Sequence, residues 1–197
     1  MIGKGLVTSV CFSAALALVP ALSASAAVRE CPAGKVTAAS YTWNFRQEAN
    51  GVFKDVQADA WRARNHADRM KSFADDADLG WQAYGNQLTQ VKSAVDDMGK
   101  DVCRLESIRR ALAPWQKHSV DRIATEVTLM ADNTQDAIVF FNHHQGTLWR
   151  PKFETYVDNL YTQADDLTHS VGHAVQMAKV GPEYRELRHD MGVKASS

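Results

Sequence analysis

The chain has 197 residues, 45% of them hydrophobic and 23% charged, and its 22 basic and 23 acidic side chains leave a formal charge of -1. That balance argues against a nucleic-acid binder, which needs a clustered basic excess to neutralise phosphates. Five Pro and eleven Gly are too few for a collagenous or disordered chain, and the apolar content is enough for one compact domain.

Residues 1–27 read as a secretory signal. Lys4 supplies a positive n-region, residues 6–22 are apolar apart from Thr8, Ser9, Ser13 and Pro20, and Ala24-Ser25-Ala26-Ala27 offers small residues to a signal peptidase before the charged pair Arg29-Glu30. The expected cut is after Ala26 or Ala27. The apolar run is short for a membrane span, and nothing later is long and apolar enough to act as one. The expectation is a soluble bacterial protein, periplasmic or secreted, with residues 28–43 as an N-terminal arm. Removing the signal takes Cys11 with it and leaves Cys31 and Cys103. An even pair 72 positions apart, with no metal-ligand spacing, predicts a disulfide in an oxidising compartment.

Four amphipathic segments follow in chain order. The first, residues 44–77, opens on Asn44 as N-cap with Gln47 three residues on, a capping-box arrangement. Phe45, Ala49, Val52, Val56, Ala63, Met70 and Phe73 form its apolar face, with Asp59 and His66 expected to interrupt it. The second is the most regular. Trp81, Tyr84, Leu88, Val91, Val95, Met98, Val102, Leu105, Arg109 and Leu112 recur every 3.5 positions on average, which draws one continuous stripe along a helix. From Pro114 the pattern returns at Val120, Ile123, Val127, Met130, Thr134, Ala137, Phe141 and His144. From Pro151 it returns again at Phe153, Val157, Leu160, Ala164, Leu167, Val171, Ala174 and Ala178. Both prolines suit a first helical turn, where a missing N–H costs nothing.

The connections between segments are short, so consecutive helices should lie antiparallel. The predicted fold is all-α: an up-down-up-down antiparallel four-helix bundle over residues 44–180, with a polar C-terminal tail over 181–197. Trp43, Trp81, Trp115 and Trp149 fall at or just before helix starts and are expected to plug the bundle ends.

Motifs that carry chemistry are sparse. No C-x-x-C-H is present for covalent haem, and the inward candidates His66 and His144 differ too much in height to share one. Of the Glu-x-x-His pairs a di-iron site demands, the chain has one, Glu186 with His189, and it lies in the tail. The acidic turn at Asp76 and Asp78 has Gln87 where a calcium loop needs a bidentate Glu. Ser40, Ser72, Ser93, Ser107, Ser119 and Ser170 stand in no nucleophile elbow. The sequence therefore predicts a non-enzymatic protein with no cofactor.

Two candidate surfaces remain. His169 and His173, spaced i,i+4, together with His118 form a possible metal set, and His143 and His144 beside Asp75, Asp76 and Asp78 a looser one. Trp61, with Arg62 and Arg64 beside it, has the composition of a protein-contact anchor, and Phe140 and Tyr161 are expected to flank the seams. The function read from the sequence is a binding or structural module of the cell envelope, with a protein partner or a second copy of itself. A periplasmic metal-binding bundle is the alternative.

Overall fold

The structure is a computed structural model and describes residue 31 and residues 44–73, 80–148 and 151–190, the side chains of 147 and 182–190 aside. Among these residues there are four long helices and no strand. They are α1 (Phe45–Ser72), α2 (Trp81–Ile108), α3 (Pro114–His143) and α4 (Pro151–Asp190), with short 3-10 turns at Arg109–Ala111 and Gln145–Thr147. The signal reading of residues 1–27 and most of the arm fall outside the described residues.

The helices form a bundle in which α1 packs on α2 and α4, and α3 packs on the same two. Cross-helix contacts fix the directions. Glu48 meets Arg104 near the start of α1, and His66 meets Gln87 near its end, so α2 runs back along α1. Gln57 lies against Gly172 while Lys71 pairs with Asp158, which reverses α4 relative to α1 as well. Ser170 on Glu126 and Asn133 on Tyr156 give the same opposed order for α3 and α4.

The core runs the full length of the bundle, and most of the predicted seam residues of α2, α3 and α4 are in it. In α1 the predicted residues Ala49, Val52, Val56, Ala63 and Met70 are buried, and Phe53, Ala60 and Ala67 complete the buried lane. Asp59 and His66 sit one position to the side of it and are half-buried. They do not interrupt the seam, because alanines carry it through that stretch. Small side chains also let helix axes approach more closely than leucines do.

Local signals set several helix ends. Asn44 Oδ1 accepts the Gln47 N–H at 3.1 Å, the predicted cap. Gln116 Oε1 accepts the Ala113 N–H at 3.0 Å at the start of α3. α4 continues through Gly181-Pro182 to Asp190, so the polar segment that follows residue 181 begins as helix and is continuous with α4. A proline clashes with the Cβ of a preceding helical residue, and Gly181 has none.

The Cys31–Cys103 disulfide forms, with Cα atoms 5.0 Å apart, and ties the arm to α2. Trp115 packs as an end-plug, its ring 6.3 Å from Phe53. Trp81 does not. It is 43% exposed and only leans on Phe141, because it is the first residue of α2. Phe140, expected at a seam edge, is buried among Phe153 and Tyr156. Trp43 and Trp149 lie outside the described residues.

Candidate functional site

The outer face of α1 carries the first candidate surface. Position 61 is one residue past the buried lane at Ala60, so Trp61 points outward, and its indole is 56% exposed. Arg62 turns toward α2. It pairs with Asp59 on its own helix and reaches Asp97 Oδ2 at 3.3 Å. Arg64 turns toward α4, where its Nη2 donates to Tyr161 Oη at 3.0 Å and its guanidinium lies over the Tyr161 ring at 5.3 Å. Arg64 Nε also lies 2.7 Å from Asp165 Oδ1 in an ion pair, although its N–H is not aimed at the carboxylate. Lys71 completes this side, bonded to Asp158 and resting on the Tyr161 ring at 4.7 Å.

These contacts favour the charged form of both arginines. The Asp59 hydrogen bond chiefly raises Arg62, and the Tyr161 hydrogen bond chiefly raises Arg64. Exposed ion pairs are worth about 0–1 kcal/mol each, so their role is geometric. They brace the helix on both flanks of Trp61 and hold the indole on a rigid backbone.

Among the described residues the histidines do not assemble a metal centre. His118, His169 and His173 are all exposed, and among the described residues no group of three or more His, Cys, Asp or Glu is placed to hold a metal ion. The axial offset explains why. Glu126 of α3 stands opposite Ser170 of α4, so His118, eight residues earlier, stands opposite residue 178. That is about 7.5 Å along the axis from His173 at 1.5 Å per residue. His144 is committed to packing, stacked on Phe140 with centroids 4.1 Å apart. Asp75, Asp76 and Asp78, its proposed partners with His143, lie outside the described residues.

His169 and His173 instead line a polar groove of about 390 Å³ between α3 and α4, together with Arg122, Glu126, Gln163, Asp166 and Ser170. Ser170 Oγ donates to Glu126 Oε1 at 2.8 Å, and Arg122 Nε donates to the same oxygen at 3.0 Å. Glu126 Oε2 and Gln163 Oε1 are buried and have no hydrogen-bond partner.

Sequence reasoning missed this groove, and it missed Gln116. That side chain is 1% exposed and donates to Arg46 O and Asn50 Oδ1 at 3.0 and 2.9 Å, joining the starts of α1 and α3 across the bundle. Its one visible signal was a Gln at the third helical position after Ala113.

None of the described helices is long and apolar enough to cross a membrane. No family model, no curated protein and no solved structure matches the chain.

Proposed function

We propose that the protein is an exported, non-enzymatic helical bundle that acts as a binding or structural module in the bacterial cell envelope and associates with a second copy of itself through the Trp61 face of α1. Export is supported by the n-region, apolar run and small-residue site of residues 1–27. It is further supported by the Cys31–Cys103 bond, which suits an oxidising compartment. The antiparallel bundle directs its apolar side chains inward and leaves shallow grooves, which favours surface recognition over catalysis. Ser72, Ser107 and Ser119 donate to backbone carbonyls of their own helices, and Ser170 donates to Glu126, so these hydroxyls are engaged structurally.

The observation that carries the reading is the exposure of Trp61 on a braced helix. Large aromatics left in water cost free energy, and they are the commonest hot spots at protein contacts, especially beside arginine. A rigid backbone beneath the indole lowers the ordering cost of association.

The test is sedimentation equilibrium of the mature chain across a concentration series, with Trp61→Ala in parallel. The wild type should self-associate and the variant should remain monomeric at an unchanged melting temperature. A monomeric wild type, or a variant whose melting temperature falls by several degrees, would remove the proposal.

A further inference from the structure

The charges around Trp61 have a two-fold order. Lys54, Trp61 and Asp68 stand seven residues apart, so they form one lane along α1 that drifts by only about 20° per step. All three are exposed. Beside it, on the side of α2, runs a second exposed lane of Asp55, Arg62 and Arg69. The outer face of α1 thus carries Lys54-Asp55 about 10 Å before the indole and Asp68-Arg69 about 10 Å after it. None of these four side chains forms an ion pair or a hydrogen bond among the described residues. By contrast Glu48, Arg64 and Lys71, which turn to the neighbouring helices, are each paired there.

Two copies of α1 can cover this face in two directions. Side by side in the same direction, every charge meets its own copy, and like charges in contact repel. Turned head to tail about an axis through Trp61, the helices present opposite charges instead. Lys54 and Asp68 are equally distant from Trp61, so each Lys54 then faces the Asp68 of the second copy. Asp55 and Arg69 come together on the same flank, offset by two residues or about 3 Å. Arg62 would meet itself near the axis, but Asp59 and Asp97 draw it aside and balance its charge. Ala58 and Gly51 are exposed on this face and add little bulk, so the two axes can approach until the indoles touch. A closed dimer needs a patch that is complementary to itself, and this face meets that condition in one direction only.

We propose that a second copy docks antiparallel, α1 against α1, with both Trp61 side chains at the two-fold axis and reciprocal Lys54–Asp68 pairs on either side. This pairing rests on the self-association proposed above and adds its direction and register. A single exposed pair contributes little, but symmetry repeats every change twice, and the sign of the charges selects the orientation.

Charge reversal tests it, read by sedimentation equilibrium at low salt. Lys54→Asp and Asp68→Lys should each weaken self-association at least about tenfold, since each sets two like-charge contacts across the axis. An equimolar mixture of the two variants should associate as tightly as the wild type, because each copy then meets an opposite charge at both positions. The double variant Lys54→Asp/Asp68→Lys should do so on its own. Melting temperatures of the dissociated variants should hardly change, as both side chains are exposed. A parallel pair requires other results: the single variants would lose nothing, and their mixture would exceed the wild type. Either of those outcomes, or a mixture as weak as its components, would overturn the antiparallel pairing while leaving a dimer that depends on Trp61. A monomeric wild type would remove both.

Discussion

The two ends of the bundle are closed by different physics. At one end, Phe73, just past the end of α1, meets Tyr84 of α2, and Tyr84, Phe140 and Phe141 all surround Phe153 of α4 with ring centroids 5.6–6.3 Å apart. At the other, the Cys31–Cys103 bond, the Arg104–Glu48 pair, the Arg109–Asp121 pair and the buried amide of Gln116 hold the helices together. Aromatic area stabilises without strongly specifying position. Directional bonds do the reverse: each is worth little net but is satisfied at one register only. The Trp115–Phe53 contact and the His66–Gln87 bond show that each end has some of both, but directional bonds predominate at the disulfide end and aromatic packing at the other.

The largest effects should come from breaking each end separately. Phe153→Ala should cost about 4 kcal/mol through lost burial and a residual cavity. Replacing Cys31 and Cys103 by Ser should cost up to about 4 kcal/mol by releasing a long loop in the unfolded chain. Urea unfolding followed by circular dichroism measures both. A reductant should abolish the difference between the Ser variant and the wild type and leave the Phe153→Ala penalty intact. The combined variant should be additive to within about 0.5 kcal/mol, since the sites are at opposite ends. Strong non-additivity would mean that the ends are not independent.

A smaller effect sharpens the contrast. Gln116→Ala removes the partners of Arg46 O, Asn50 Oδ1 and the Ala113 N–H together. Losing these bonds together with the packing of the buried Gln116 side chain should lower stability by about 2 kcal/mol in the same urea assay. Below that, two glycines in helices should respond with opposite signs. A Cβ at Gly51 meets nothing, so Gly51→Ala should gain about 1 kcal/mol from helix propensity. A Cβ at Gly85 would lie 2.9 Å from Phe141 Cζ, inside the aromatic plug. Gly85→Ala should therefore lower the melting temperature despite the same gain in propensity. Equal responses would show that the aromatic end is looser than its packing implies.

These contrasts also mark what could be read from the residues alone. The seams of α2, α3 and α4 were legible because Val, Leu, Ile and Met at alternating steps of three and four have one helical interpretation. In α1 the face residues Ala49, Val52, Val56, Ala63 and Met70 were legible too, but the pattern puts Asp59 and His66 on the seam in place of their neighbours Ala60 and Ala67, because alanine is too weakly apolar to mark a helical face. The three-histidine set was one-dimensional reasoning: the i,i+4 spacing of His169 and His173 holds within α4, but the height of His118 depends on how α3 slides against α4. The polar groove was invisible for a related reason. Glu126, Gln163 and Ser170 are ordinary letters at seam edges, and only the packed helices leave two of their oxygens without donors.

The smallest expected effect concerns two aspartates on adjacent turns of α2. Asp97 is held below the ordinary carboxylate range, chiefly by its hydrogen bond from Lys100 and then by Arg62. Asp101, one turn on toward the disulfide end, is pushed up to about 6. Burial is the main cause, followed by the Asp55 and Asp59 carboxylates, with Arg104 only partly opposing them. A raised value in the folded state means that folding favours the protonated acid. The contribution of Asp101 is then fully favourable below its ordinary value of 3.8, and it is lost as pH rises through about 6. Asp101→Asn keeps the shape and removes the charge. It should stabilise the protein by about 1 kcal/mol at pH 8, a figure reduced for solvent screening at a partly exposed site. The gain should shrink steadily below pH 6 and vanish near pH 4, whereas Asp97→Asn should be destabilising at pH 8. Melting temperatures of both variants across that range would test the pair, and a gain for Asp101→Asn that does not change with pH would show that its carboxylate is not repelled by its neighbours.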